Sequence, residues 1–172
     1  MNPTRRNWTS ELSVLLIALT AVSSGCGTPK PKPVAWNLSI TKKTYSTIEV
    51  DLIGVPKGDK ALWEGYDLDQ YWTPGDQRRQ DAHPLSTNLV YNEAWIVART
   101  NAQWHEWLDH QKATDLLIIA NLPGTKTNFG SGRADPRRKF VPLDKRAWDA
   151  KKRTLEFEVQ DTLINPLTKQ RD

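Results

Sequence analysis

The side chains that could support metal binding or acid–base chemistry are sparse in this sequence, and one histidine pair is the first candidate. His105 and His110 lie five positions apart on a segment with the pattern of a helix. In a regular α-helix that spacing places the two imidazoles about 140° apart, so they would not share a metal ion as residues four apart do. We therefore predict an exposed helical surface here and no metal site.

A second candidate is a group of acids, Asp67, Asp69 and Asp76, within ten residues of one another. A calcium loop requires oxygen ligands at alternating positions, a glycine for the turn and a terminal Glu. Tyr71 and Trp72 interrupt that series here. We predict capping and turn roles for these acids, and we expect no catalytic residue, no metal and no cofactor, so that the protein is not an enzyme.

The composition limits the architecture to one folded domain. The chain has 172 residues, 38% hydrophobic and 26% charged, with a net charge of +4 and one cysteine. This length suits a single domain with its own core. A single cysteine excludes an intramolecular disulfide and a thiolate cluster, and eight tryptophans exclude disorder for most of the chain. The mild positive charge does not indicate nucleic-acid binding, and we expect no nucleic-acid partner.

Residues 1–26 have the features of an export signal. Arg5 and Arg6 precede an eleven-residue apolar run, residues 12–22, which at about 17 Å is too short to cross a bilayer core of about 30 Å. That run has the length of a signal-peptide h-region. The small residues that follow it end at Cys26, and Ser-Gly-Cys resembles the lipobox of bacterial lipoproteins. The resemblance implies that Cys26 carries the lipid, palmitate included; an ordinary secretory signal with a chance cysteine is the alternative.

The residues after the cysteine complete the domain organisation that we predict. Gly27 rather than Asp follows Cys26, which by the sorting rule of enteric-type bacteria implies the outer membrane. The alternating Pro and Lys that come next favour an extended tether. We expect a signal peptide at 1–25, a lipidated cysteine and tether at 26–33, and one domain at 34–172.

Hydrophobic alternation predicts a mainly β domain. The strands that we predict cover residues 35–41, 46–55, 85–91, 94–100, 115–122, 139–143 and 153–164. Helical patterns occur at 57–72, where two short helices are as consistent as one, and at 101–112. The continuous apolar run 115–122 predicts a strand buried on both faces. We predict an antiparallel β-sandwich, transthyretin-like or immunoglobulin-like, with two short helical insertions; a parallel α/β fold is the alternative.

Two polar segments are candidates for partner contact. Arg133, Asp135, Arg137 and Arg138 lie together in a loop. Three guanidinium groups could bind acidic groups of a partner bidentately, or an internal Asp135–arginine ion pair could hold the loop. The second segment is the turn after the first strand, and its candidate residues are Lys42, Lys43 and Tyr45.

Aromatic residues are concentrated in the first helical segment, at Trp63, Tyr66, Tyr71 and Trp72. Such spacing is typical of a helix that packs on a sheet. An exposed binding patch is the alternative, because Trp and Tyr are frequent at interface hot spots.

The order of these features resembles the TssJ family, the outer-membrane lipoproteins of type VI secretion systems. The second predicted strand, STIEVDLIGV, is followed by the aromatic segment ALWEGYDLDQYW. The run ATDLLIIANLPG and the amphipathic segment 153–164 follow in the family's order. In that family the loop between the first two strands helps to bind the periplasmic part of an inner-membrane component; here that connection, residues 42–46, is short.

The resemblance implies a non-enzymatic lipoprotein that is anchored in the outer membrane and faces the periplasm. It would serve as an anchor or docking module for an envelope protein partner. The sequence leaves two alternatives open. One is a periplasmic ligand-binding or enzymatic module that uses Trp63, Tyr66 and Trp72, and the other is a structural lipoprotein with no specific partner.

Overall fold

A computed structural model describes residues 32–125, 135–149 and 153–171. Within these residues the chain forms eight strands: β1 Asn37–Lys42, β2 Ile48–Pro56, β3 Leu85–Leu89, β4 Ala94–Val97, β5 Ala113–Ala120, β6 Arg138–Pro142, β7 Thr154–Val159 and β8 Ile164–Pro166. Its helices are α1 Lys60–Glu64, α2 Leu68–Tyr71, α3 Gln77–Ala82 and α4 Gln103–His105. A π-helical turn, Glu106–His110, continues α4, and short 3₁₀ turns cover Lys57–Asp59 and Lys145–Ala147.

The strands form two four-stranded sheets, ordered β4-β1-β7-β8 and β3-β2-β5-β6. The predicted mainly β, two-layer architecture is confirmed. One pair departs from the predicted antiparallel arrangement, because β1 and β7 are parallel and pair from Asn37–Thr154 to Lys42–Val159. The chain reaches β7 by crossing from the second sheet to the first after β6, and this crossover brings it back in the direction of β1.

The main core lies between the two sheets and follows from the alternation of apolar residues along each strand. Leu38 and Ile40 of β1 face inward beside Leu155 and Phe157 of β7, and all four are fully buried. Trp36, Trp104, Trp107 and Trp148 belong to the same cluster. Three of these indoles are anchored by backbone carbonyls: Trp36 donates to Leu143 at 3.2 Å, Trp104 to Ala98 at 3.1 Å and Trp148 to Pro142 at 2.7 Å.

A helical cap, formed by α1, α2 and α3, covers the outer face of the second sheet. Ile53 and Val55 of β2, with Leu117 and Ile119 of β5, pack against Trp63, Leu68 and Tyr71 of the cap. β5 is therefore buried on both faces, as its continuous apolar run predicts. Core packing of Trp63 and Tyr71 accounts for these two members of the aromatic segment.

Two elements differ from the prediction. The predicted strand 153–164 is a hairpin, in which β7 and β8 pair antiparallel through Val159 and Ile164. The helix α3 was not predicted, because its sequence QRRQDA has no apolar face. It begins at Asp76, whose carboxylate caps the Arg79 N–H at 2.8 Å. No helix of the described segments is long and apolar enough to span a bilayer.

Candidate partner-binding site

The chain enters the sandwich at one end, and β1 leads away from that end. Pro33 forms a bridge with Asp144, beside the end of β6. β1 then runs from Asn37 to Lys42. The loop after β1 therefore lies at the opposite end of the sandwich.

Three loops at this opposite end form what we call the distal end: residues 43–47, 90–93 and 160–163. The loop 90–93 lies there because Ile48, the first residue of β2, pairs with Leu89, the last residue of β3. The third loop is tied to the first, since Ser46 donates to the carboxylate of Asp161 at 3.1 Å.

Lys42, a candidate residue, is fully buried at the base of the distal end. Its ammonium donates to the carbonyl oxygen of Thr44. Its backbone N–H donates to Glu93 at 3.3 Å, and its carbonyl accepts from Asn92 at 3.3 Å. Lys42 therefore fixes the shape of two loops.

Tyr45, another candidate residue, projects from the distal end and stacks on Tyr91 of the neighbouring loop. The ring centroids lie 4.3 Å apart, with an angle of 22° between the ring planes. Tyr45 is 85% exposed and Tyr91 is 43% exposed, and Lys43 is exposed beside them. Exposed, rigid aromatic rings of this kind are frequent anchors of protein interfaces. Sequence reasoning missed Tyr91, which it placed at the end of a strand without assigning it a role.

Asp135 and Arg137 form an internal ion pair at the start of β6. The Arg137 guanidinium donates to the Asp135 carboxylate at 2.7 and 3.1 Å, and it also donates to Asp69, at the start of α2. Burial lowers the pKa of Arg137, but its hydrogen bonds to the two carboxylates outweigh burial and raise that pKa above its ordinary value. The sequence left open whether these residues bind a partner or each other; within the domain Asp135 and Arg137 bind each other, and contact with a partner stays a prediction.

Arg138 points into the helical cap, where its guanidinium donates to the backbone oxygen of Trp63. Burial lowers its pKa from the ordinary value of an arginine. Asp135, Arg137 and Arg138 thus connect β6 to the cap. The two other candidates, Cys26 and Arg133, lie outside the described residues, as do the signal peptide and most of the tether.

A second buried polar network, which sequence reasoning missed, joins the cap to β2. The carboxylate of Asp51 is fully buried and accepts hydrogen bonds from Tyr71 at 2.7 Å and from Arg79 at 2.8 Å. Burial, followed by the negative charge of Asp51, raises the pKa of Tyr71. The alternation along β2 contained a signal, because it placed Asp51 on the face opposite the core.

Two of the three acids that could suggest calcium, Asp67 and Asp76, cap helices, whereas the third, Asp69, accepts a hydrogen bond from Arg137. Asp67 accepts from the Asp69 N–H at 2.8 Å at the start of α2. Asp76 caps α3 and also accepts from the hydroxyl of Tyr66 at 2.7 Å. These contacts follow from the usual preference of Asp for the residue before a helix.

The rings named in the ligand-binding alternative, Trp63, Tyr66 and Trp72, are packed within the cap. Trp63 meets Tyr66 and Tyr71 edge to face at 6.0 Å, and Trp72 meets Tyr71 at 5.1 Å. A pocket of about 420 Å³ opens beside Trp63, and its polar lining residues are Asp59, Arg78, Asp81 and Gln111. Of the three rings in that alternative, Trp63 alone borders this pocket among the described residues.

The wide angular separation predicted for the His105 and His110 imidazoles does not occur. Their ring centroids lie only 4.8 Å apart, because the π-helical turn between them has a wider repeat than a regular helix. The N–H of Gln111 donates to the carbonyl of Glu106, five residues earlier, at 3.0 Å. A π-helical turn is not visible in hydrophobic periodicity, so the sequence could not indicate this contact.

No protein-family model matches the chain, and a comparison with curated protein sequences gives no match. Among solved structures, the chain is similar to the C-terminal domain of the type VI secretion protein TssM from EAEC. The TM-score is 0.51 and the identity 12%, over 77% of this chain and 99% of that one.

Two lipoprotein structures also match, at lower scores. The type VI secretion lipoprotein TssJ1 of Pseudomonas aeruginosa gives a TM-score of 0.46 and 13% identity, over 82% of this chain and 100% of that one. Lip of Serratia marcescens, a membrane-bound component of the type VI secretion system, gives 0.47 and 14%, over 82% and 100%. The resemblance to type VI secretion proteins that the sequence predicts is therefore confirmed at the level of the fold, by the TssM domain.

Proposed function

We propose that this protein is a lipoprotein anchored in the outer membrane through Cys26, and that it faces the periplasm as a docking module of a type VI secretion assembly. Two facts support the proposal: the sequence around Cys26 resembles a lipobox, and the domain shares its fold with the C-terminal domain of TssM. On this proposal the protein acts by binding a partner and catalyses no reaction.

The observation that carries the docking role is the position of the exposed Tyr45–Tyr91 stack. It lies at the end of the sandwich opposite the point where the tether enters, and Tyr45 is 85% exposed. A domain held by its entry end presents this stack away from the membrane. The partner that we propose is the periplasmic part of an inner-membrane component.

The candidate residues divide into two groups on this proposal. Lys43 and Tyr45 contact the partner directly, as does Arg133, whose side chain could bind a partner carboxylate bidentately. Lys42, Asp135, Arg137 and Arg138 act indirectly, because their own polar groups already bind neighbouring residues within the domain.

The anchor is tested by Cys26→Ser, which removes the sulfur that would carry the lipid. We expect labelled palmitate to be lost and the protein to leave the membrane fraction. Thr28→Ser, two residues downstream, is the control and should fractionate as the wild type does. Unchanged labelling and fractionation of Cys26→Ser would contradict the anchor.

The docking surface is tested by placing a photo-crosslinking residue at position 45 and, separately, at Leu167, which is 51% exposed and follows β8. We expect a crosslink to the periplasmic part of an inner-membrane protein from position 45 only. Crosslinks of equal yield from both positions, or from position 167 alone, would reject the distal end as the docking surface.

Ligand binding remains a second candidate function, and the pocket beside Trp63 favours it. The guanidinium of Arg78 lies 4.6 Å from the Trp63 ring and 4.9 Å from the Tyr66 ring, and it borders the pocket. The side chain is thus held in place by cation–π contacts. Arg78→Gln should weaken binding of a cell-wall fragment in this pocket without altering the crosslink from position 45.

A further inference from the structure

Four exposed cations surround the point where the tether enters the sandwich. We call Lys32, Lys145, Arg146 and Arg153 the basic rim. Together with Val34 and Asp144 they line one depression of about 330 Å³. The rim combines residues from three separate parts of the chain, and the fold brings them together: Pro33 bridges Asp144, and Asn37 donates to the backbone oxygen of Arg153 at 2.8 Å.

The carboxylate of Asp144, which lines the same depression, is already paired with Arg146 of the basic rim. Asp144 accepts two hydrogen bonds from the Nε of Arg146, at 3.0 and 3.1 Å, and one from its own turn. The hydrogen bond with Arg146 holds the pKa of Asp144 at about 2, so that its charge is permanent and offsets that of Arg146. Lys32, Lys145 and Arg153 form no ion pair with another described residue. The rim therefore carries an excess of positive charge.

The neighbouring C-terminal segment adds further cations. The N–H of Asp149 donates to the carbonyl of Lys169 at 3.0 Å, and the N–H of Arg171 donates to Ala147 at 2.9 Å. Lys169 is exposed, and Arg171 lies 3.7 Å from the carboxylate of Asp149. Since Asp149 offsets the charge of Arg171, Lys169 is the residue of this segment that extends the positive surface beyond the depression.

We propose that the basic rim binds the phosphorylated headgroups of anionic lipids in the membrane that holds the anchor. The proposal rests on the proposed function, because that function places Cys26 in the membrane. Lys32 follows Cys26 by six residues, a separation of at most about 20 Å in an extended chain. The depression carries the positive charge that binding of a phosphodiester anion requires. Lysine and arginine are the side chains that usually bind such phosphate groups.

Contact with the bilayer would fix the orientation of the domain. A flexible tether alone allows the domain to rotate over the membrane. Binding at the rim holds the entry end against the headgroups, and the Tyr45–Tyr91 stack at the opposite end then points into the periplasm. The rim would thus raise the fraction of time in which the distal end faces a partner.

The test uses a chain that begins at residue 26 and carries Cys26→Ser, so that no acyl chain contributes. This chain keeps every described strand and both hydrophobic clusters. Its binding is measured by co-sedimentation with vesicles of phosphatidylcholine alone and with vesicles that also contain phosphatidylglycerol. We expect binding to the anionic vesicles only, with a steep loss as salt is raised.

Lys145→Glu and Lys43→Glu form a matched pair, since both replace an exposed lysine, one at the rim and one at the distal end. We expect Lys145→Glu to lower the partition coefficient on the order of tenfold, and Lys43→Glu to leave it within about twofold because that end faces away from the bilayer. Equal effects of the two substitutions would show attraction by net charge and would overturn the assignment.

Two further outcomes would overturn the proposal: equal binding to neutral and anionic vesicles, and binding of inorganic phosphate without binding of vesicles. The vesicle test does not depend on acylation or on the partner. Failure of the Cys26→Ser fractionation test would reject the anchor alone, whereas failure here would reject the rim alone.

Discussion

The hydroxyl of Tyr71 donates a 2.7 Å hydrogen bond to the carboxylate of Asp51, which is fully buried on the outer face of β2. Arg79 of α3 binds the same carboxylate at 2.8 Å and also binds Glu49. One buried charge thus holds two helices of the cap on the sheet. A buried carboxylate is tolerated only when paired and hydrogen-bonded, so this network fixes where the cap sits.

Tyr71→Phe removes one of the hydrogen bonds to Asp51 and keeps the ring. We expect a loss of about 1–2 kcal/mol in the free energy of unfolding, since a charged acceptor loses a donor without access to water. Urea denaturation measures it. Tyr45→Phe, which alters an 85% exposed side chain, is the control and should leave the midpoint unchanged. Similar midpoints for both variants would show that the bond contributes little.

Gly54→Ala tests how closely the side chain of Trp107 packs on the backbone of β2. A Cβ at position 54 would lie 2.5 Å from Cδ1 of Trp107, whereas a Cβ at Gly58 would meet nothing within 4 Å. Because Trp107 is fully buried and has little room to move, we expect Gly54→Ala to lower the free energy of unfolding by about 1–3 kcal/mol. Gly58→Ala should leave the free energy of unfolding unchanged or raise it by a few tenths of a kcal/mol. Thermal unfolding of the pair checks the difference.

Strands β1 and β7 each bury one face, so the alternation of their apolar residues predicted them, and the continuous apolar run predicted β5, which is buried on both faces. Residues 153–164 were predicted as one strand since Leu155, Phe157 and Val159 alternate. The chain turns after Val159, and Ile164 pairs back on it. No glycine or proline lies between Val159 and Ile164 to indicate that turn.

The helix α3 and the contact between the two histidines could not be predicted, for a different reason. α3 is held by polar contacts of Arg79 rather than by an apolar face. Such contacts depend on residues nearly thirty positions away, namely Glu49 and Asp51. The π-helical turn between His105 and His110 lies beside Trp104 and Trp107, whose rings pack edge to face in the core. Local sequence patterns do not contain this information.

Arg137 and Arg146 allow a direct comparison of buried and exposed ion pairs, because each binds the aspartate two residues before it. The side chain of Arg137 is 7% exposed and that of Arg146 is 47% exposed. Arg137→Leu leaves Asp135 buried without its main partner, and we expect a loss of about 3–5 kcal/mol. Arg146→Leu should leave the free energy of unfolding almost unchanged, because an exposed ion pair is screened by water. Chemical denaturation of the two variants measures both values.

Arg137→Leu also tests whether Arg137 contacts the partner in the proposed docking role. If Arg137 has a structural role, Arg137→Leu should weaken partner crosslinking from position 45 only in proportion to the fraction of unfolded protein. A variant that stays folded and yet loses the crosslink would show instead that Arg137 contacts the partner.

Because the pKa of the Tyr66 phenol is raised, we predict that the protein loses stability at high pH. Burial, followed by its hydrogen bond to Asp76, raises the pKa of this phenol from 10.0 to about 12. The folded state therefore holds the proton more tightly than the unfolded state. The resulting stability is fully present below about pH 10 and is lost as the pH rises toward about 12. Tyr66→Phe has no proton to lose at this position, so its stability should fall less over that range.

The measurement is the difference in unfolding midpoint between wild type and Tyr66→Phe, taken at about pH 9 and about pH 11, on either side of the ordinary phenol pKa. The other titratable side chains are the same in both proteins, so their contributions cancel in the difference. We expect Tyr66→Phe to be the less stable protein at the lower pH, where the hydrogen bond to Asp76 is intact, and the gap to narrow at the higher pH. A gap that stays constant or widens would mean that the phenol of Tyr66 is not held in its protonated form by the cap.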